Sequence, residues 1–234
     1  MELILKKSIK SPIIIEAFPG VGLIGSITTE YLTNHLKCEE VGQIIVDDVP
    51  PLIAIHSEKI IKPITLFYNK KNNLLIVHSI SPVRGIEWKI SELVLDLIKK
   101  TQAKQIISID GISSRNSEGE GMFYYTNSQK IANKMKGMKF NVLKESIIMG
   151  VTAAIMSKIK KDFLGVFAET HINLPDSRAA ARVIEILDQY LGLNIDYKPL
   201  IKKAEMFEKN LNELMEESKK AVDLQDEKKV NYFG

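Results

Sequence analysis

The sequence predicts an α/β domain with a largely parallel sheet. Two observations carry that expectation: short β-branched runs recur along the chain, and longer segments of helical period separate them. Candidate strands, in chain order, are Ile13-Ile14-Ile15, Gly42 to Val46, Leu74 to His78, Gln105 to Asp110 and Gly165 to Phe167. Ile53 to His56 and Ile64 to Tyr68 alternate more loosely and are expected as further strands near a sheet edge. Helices are expected from Gly22 through Leu36, Ile86 through Lys99, Ser128 through Met135, Gly150 through Ile159 and Asp176 through Leu191. The last has good start chemistry. Pro175-Asp176-Ser177 offers a side-chain cap, and Ala179, Ala180, Ala181, Val183, Ile184, Ile186 and Leu187 combine helix propensity with an apolar stripe.

Gly192 is placed to end that helix, Tyr197-Lys198-Pro199 restarts the chain, and a charged helix is expected from Leu200 to about Gln225. Leu200, Ala204, Phe207, Leu211, Leu214 and Met215 give it a narrow apolar stripe, hence one contact face and a wide wet one. The expected organisation is a compact body over 1–196, a projecting helix over 197–223 and a flexible tail over 224–234. No internal repeat or low-complexity segment interrupts it.

Composition narrows the function classes. Of 234 residues, 45% are hydrophobic and 26% charged, which suits a globular protein with a substantial core. Thirty-two Lys and Arg against 29 acids leave a formal charge of +3, too little to argue for a nucleic-acid surface. The single cysteine, Cys38, rules out an intramolecular disulfide. Residues 1–12 lack the apolar stretch of a secretory signal, and no run approaches the roughly 20 apolar residues of a membrane span, so a cytoplasmic location is expected.

The first strand runs into Phe18-Pro19-Gly20-Val21-Gly22-Leu23-Ile24-Gly25, a G-x-G-x-x-G spacing at a strand-to-helix turn, with Asp47 following at about the distance of a ribose-binding acid. In a dinucleotide fold such glycines let the backbone approach a pyrophosphate. Equally, they can make a tight turn and let the helix lie close on the sheet, and this architectural reading is preferred. A P-loop is excluded by Ser26, which stands where the phosphate-binding lysine belongs.

Other chemistry is thinly supplied. His35, His56, His78 and His171 are far apart, with no second His or Cys at a metal-like interval, so no structural metal is expected. His78 and Asp110 end candidate strands, where α/β folds place ligand crevices; the alternative is strand-end polar groups satisfied by nearby backbone. Ser113 to Gly121 reads as a surface loop rich in turn formers, and Asp47-Asp48-Val49-Pro50-Pro51 as a rigid loop leaving a strand. The chain finishes Lys228-Lys229-Val230-Asn231-Tyr232-Phe233-Gly234, with two aromatics beyond a charged run. They are expected either to fold back onto the body or to be held by a partner.

These segments resemble the PAC2 family of proteasome assembly chaperones and their relatives. The resemblance is carried by Phe18 to Gly25 after the first strand, Asp48-Val49-Pro50-Pro51, the strand into Asp110-Gly111, and Gly150-Val151-Thr152-Ala153-Ala154. It continues through Ala168-Glu169-Thr170, Leu174-Pro175-Asp176, Ala179-Ala180-Ala181 and Leu191-Gly192-Leu193-Asn194-Ile195-Asp196. The resemblance implies a three-layer α-β-α fold similar to nucleoside phosphorylases, with a C-terminal helical extension here. It also implies no established enzymatic activity or cofactor, and homo-oligomers in archaeal members.

Archaeal chaperones of this type present C-terminal segments to proteasome α subunits, through a hydrophobic residue, a tyrosine and any residue at the terminus. By that resemblance the partner-binding residues here are Tyr232, Phe233 and Gly234. Phe233 keeps the ring of the tyrosine position but lacks its hydroxyl, worth about 0.5–1.5 kcal/mol where it would hydrogen-bond; either Phe233 or Tyr232 is the anchor. The rival expectation is a small-molecule or nucleotide-binding enzyme of phosphorylase-like fold using the Gly20 to Gly25 loop. A third is a structural oligomer whose tail packs on a sister subunit.

Overall fold

A computed structural model describes residues 1–47, 53–56, 58–113, 121–138, 140–170 and 174–202. The elements, in chain order, are β1 (Glu2–Leu5), β2 (Ile13–Ala17), α1 (Ile24–His35), β3 (Glu39–Ile45), β4 (Ala54–His56), β5 (Lys59–Ile61), β6 (Ile64–Asn69), β7 (Leu74–Ser79), α2 (Glu87–Thr101) and β8 (Gln105–Ser113). There follow β9 (Met122–Thr126), α3 (Gln129–Gly137), β10 (Asn141–Val142), α4 (Gly150–Lys158), β11 (Asp162–Thr170) and α5 (Ser177–Leu191). Among the described residues, nine strands form one sheet in the order β1-β3-β6-β7-β2-β8-β11-β9-β10, and β4 pairs only with β5.

The sheet is mixed rather than largely parallel. Strands β7, β2, β8 and β11 run parallel through its centre, whereas β1, β3 and β6 join antiparallel on one side and β9 opposes β11 on the other. The turn between β6 and β7 explains part of this. The Asn69 side chain accepts the Asn72 amide at 2.9 Å, Asn73 takes a left-handed φ of 49°, and so short a link can join only antiparallel neighbours.

Helices cover both faces. In β2, Ile15 and Ala17 face a cluster built with α1, α3 and α5, while Ile14, with Phe18 just beyond the strand, faces a second built with α2 and α4. A strand covered on both sides needs apolar residues at successive positions, which is why Leu74 to His78 and Gln105 to Ile109 read as nearly unbroken buried runs. The result is the expected three-layer α-β-α arrangement. Capping in α5 is also as expected: the Asp176 carboxylate accepts the Ala179 amide at 2.8 Å, and Gly192 closes the helix at φ 69°.

Four strands were not legible in the sequence. β1 is a half-buried edge strand, β5 and β10 are three and two residues long, and β9 hides its periodicity in Met122-Phe123-Tyr124-Tyr125-Thr126, of which only Tyr124 is fully buried. Ile53 to His56 does not reach the main sheet; its strand belongs to a separate hairpin. Ile64 to Tyr68 forms β6, third from the β1 edge of the sheet. Residues 198–202 are helical and Leu200 is buried in the α1–α5 core. The rest of the expected projecting helix and the tail with Tyr232, Phe233 and Gly234 lie outside the described residues.

Candidate functional site

The parallel strands finish together at one end of the molecule, and the glycine loop sits over them. After β2 the chain makes a 3-10 turn over Val21–Leu23, with Gly22 at φ 66° and Leu23 at φ 50°, then enters α1. Gly22 therefore occupies a backbone region that a side chain resists. Gly25 meets a different constraint: a Cβ there would lie 2.7 Å from Ala17 Cβ and 2.9 Å from the Ile109 carbonyl, so its absence lets α1 lie directly on β2 and β8. From the other side, a Cβ on Gly111 would come within 2.1 Å of the Val21 carbonyl. The Gly22 carbonyl accepts the Asp176 amide at 2.8 Å, which ties the loop to the start of α5.

Asp47, the acid at ribose-binding distance in sequence, is not beside this loop. It follows β3, which β6 and β7 separate from β2, and its exposed carboxylate pairs with the N-terminal amine at 3.5 Å. His78 of β7 and Asp110 of β8 lie toward the same end of the sheet, with β2 between their strands, but point to opposite faces. His78 is buried against α1, its Nδ1 2.8 Å from Thr29 Oγ1, and burial pushes its pKa down to about 4, so it is neutral. Asp110 lies toward α4, where it accepts the Gly111 amide at 2.8 Å and a hydrogen bond from Thr152. Burial nevertheless raises its pKa to about 7, against the pull of those two bonds.

Sequence reasoning missed the residue that makes this cluster unusual. Glu16 is the fourth of the five residues of β2, in register with Val77 of β7 and Ser108 of β8, and is fully buried. Among the described residues neither carboxylate oxygen has a hydrogen-bond partner, and neither does the Ser108 hydroxyl. Desolvation raises the Glu16 pKa to about 8; Ser108 pulls the other way without hydrogen-bonding geometry, and the Asp110 charge adds to the rise. The signal was present as a single acid inside Ile13-Ile14-Ile15-Glu16-Ala17-Phe18, a run otherwise fit for two-sided burial. Glu16 holds its proton at neutral pH while Asp110 titrates there, and the Ser108 and Thr152 hydroxyls stand beside them. Burial raises the Cys38 thiol to about 11, and no group of three or more metal-ligating side chains occurs among the described residues. The side chain of His56 and all of His171 lie outside what the structure describes, as do 48–52 and 114–120.

Several large apolar side chains are exposed toward this end of the sheet. Val21, Leu23 and Leu174 are exposed beside the glycine loop, Trp88, Ile147 and Met149 at the starts of α2 and α4, and Ile53, Ile55 and Ile60 on the β4–β5 hairpin. Exposed apolar groups gathered at one end suit protein contact rather than small-molecule chemistry. No helix among the described residues is long and apolar enough to cross a membrane.

The PAC2 family model matches residues 14–215. An uncharacterised protein of Methanocaldococcus jannaschii is 29% identical over 223 residues, covering 93% of this chain and 91% of its own length. Among solved structures, Pyrococcus furiosus PbaA, described as an archaeal homolog of proteasome-assembly chaperone, matches with a TM-score of 0.83 at 27% identity, over 97% of this chain and 96% of PbaA. PbaB of the same organism, described as an archaeal proteasome activator, matches with a TM-score of 0.79 over 92% and 98%. At 20% identity that second likeness speaks for the fold alone.

Proposed function

The chain belongs to the PAC2 family, and we propose that it is a non-enzymatic, proteasome assembly chaperone-like protein that binds proteasome α subunits and assists core-particle assembly. The observation that carries this reading is the likeness to PbaA along nearly the whole of both chains. One feature of the body supports it: the exposed apolar side chains at the end described above. Contact with α subunits is made through Tyr232, Phe233 and Gly234, carried on the helix over 197–223 and the tail over 224–234. One such segment binds weakly; several, presented by a homo-oligomer to a ring of identical sites, gain avidity without any new contact. The protein acts in the cytoplasm and needs no cofactor for this role.

A specific observation keeps one rival in view. Raised carboxyl pKa values cluster at functional sites, and Glu16 and Asp110 form such a pair under a glycine loop. The displaced Asp47 and the opposite-facing His78 count against a nucleotide enzyme. Capture of endogenous partners on the parent protein and on a variant lacking the last three residues separates the readings. α subunits retained only by the parent support the chaperone role, and their absence from both refutes it.

A further inference from the structure

We propose that copies of this chain join head to tail, the β4–β5 hairpin of one seating in the cleft between the starts of α2 and α4 of the next. This rests on the homo-oligomer of the proposed function and assigns the surfaces that build it. The hairpin is the projecting part. Ile55 of β4 lies directly opposite Ile60 of β5, and Ile53, two residues before Ile55, shares their side of the ribbon. All three are exposed, at 63% for Ile53, 77% for Ile55 and 61% for Ile60. A two-stranded hairpin outside the main sheet is marginal alone, and the isoleucines of this one are not buried by it.

The receiving part is a cleft of about 290 Å³ lined by Glu87, Trp88, Gly150, Ala153 and Ala154. Gly150, Ala153 and Ala154 recur at helical spacing along α4 and make a floor without bulk, while Trp88 forms a wall. Ile147 and Met149 stand exposed just before α4. A cavity of about 150 Å³ accepts a benzene ring, so this cleft has room for two branched aliphatic side chains.

The occupant is a second copy for three reasons. First, the hairpin joins β3 to β6, whereas α4 packs on β8, three strand positions or roughly 14 Å further across the sheet. The isoleucines are exposed, so the hairpin does not fill its own cleft. Secondly, the areas agree. The hairpin isoleucines offer roughly 350 Å² and Trp88, Ile147 and Met149 roughly 450 Å², close to the ~900 Å² of apolar surface in a standard ~1,600 Å² interface. Thirdly, the sheet edges are poorly suited to joining copies. β10 has two residues, and β1 runs into Lys6 and Lys7, which pair with Glu40 and Glu39. A projection and a cleft at different places on one chain make a heterologous contact, which builds a ring where the rotation between copies closes and a filament where it does not.

Light scattering after size separation, with two surface variants, tests this. The parent is expected at several times 26.4 kDa. Ile55→Glu with Ile60→Glu removes the hairpin face but keeps the cleft; Ile147→Glu with Met149→Glu does the reverse. Each variant alone should run as a monomer with parental circular dichroism. Mixed in equal amounts they should give dimers and nothing larger, because only one intact hairpin–cleft pair remains. A monomeric parent overturns the oligomer and this inference with it. An oligomeric parent with either variant still oligomeric overturns this inference alone, and monomeric variants that fail to pair on mixing refute the head-to-tail assignment. Should a variant misfold, Ile55→Cys with Met149→Cys in a Cys38→Ser background decides: oxidation should link copies into ladders, and absence of links refutes the contact.

Discussion

Replacing Glu16 by Gln isolates the energetic consequence of the buried carboxyl. Folding holds the Glu16 proton up to about pH 8, whereas the unfolded chain releases it near 4.5. The folded pKa is raised, so between those values the native state binds more protons and stability falls as pH rises. The slope is about 1.4 kcal/mol per pH unit, which between pH 5 and pH 7.5 amounts to about 3 kcal/mol. Gln has the same shape and no charge, so that loss should vanish in Glu16→Gln. The amide's own unmet hydrogen bonds shift the variant equally at both pH values, and Asp110, raised in the same direction, contributes to both proteins. The quantity to read is therefore the change in the stability difference between parent and variant, from urea titrations at pH 5 and pH 7.5 followed by circular dichroism at fixed protein concentration. Parent and variant losing the same stability over that interval would refute the reasoning and mean that Glu16 is not held protonated.

Other expectations follow from the same geometry. Gly111→Ala should destabilise by about 1–3 kcal/mol, since a Cβ 2.1 Å from the Val21 carbonyl forces the loop away from β8; an unchanged denaturation midpoint would contradict this packing. Calorimetric titration with NAD, NADP, FAD and ATP should show nothing tighter than about 10 μM, and tighter binding would favour the enzyme reading. Phe233→Tyr should tighten α-subunit binding if Phe233 is the anchor, by up to about 1.5 kcal/mol. If Tyr232 is the anchor, that change should be silent and Tyr232→Ala should lose the binding instead.

The parts of the fold legible in the sequence are those in which local pattern and burial agree. Leu74 to His78 and Gln105 to Ile109 are covered on both faces, so their apolar runs have one interpretation, and α5 carries its own cap and stop signal. Antiparallel flanks were illegible because partner direction depends on which strands meet, as with β3 and β6, and not on either strand's composition. Short strands such as β5 and β10 fall below the length at which period two can be read. At the candidate site, the role of Gly25 was legible from its place after a strand. Asp47 was misleading because sequence distance does not reveal that two strands separate it from the loop. Glu16 was passed over because a lone acid in a strand reads as its solvent side until helices are known to cover both faces.

Binding to purified archaeal proteasome α subunits, measured for the parent and for a variant lacking Tyr232, Phe233 and Gly234, tests the central claim most directly. The parent should bind, and the deletion should weaken binding at least about tenfold, or ~1.4 kcal/mol, while leaving the melting temperature unchanged. A parent that binds no α subunit, or a deletion variant that binds as tightly as the parent, would contradict the account.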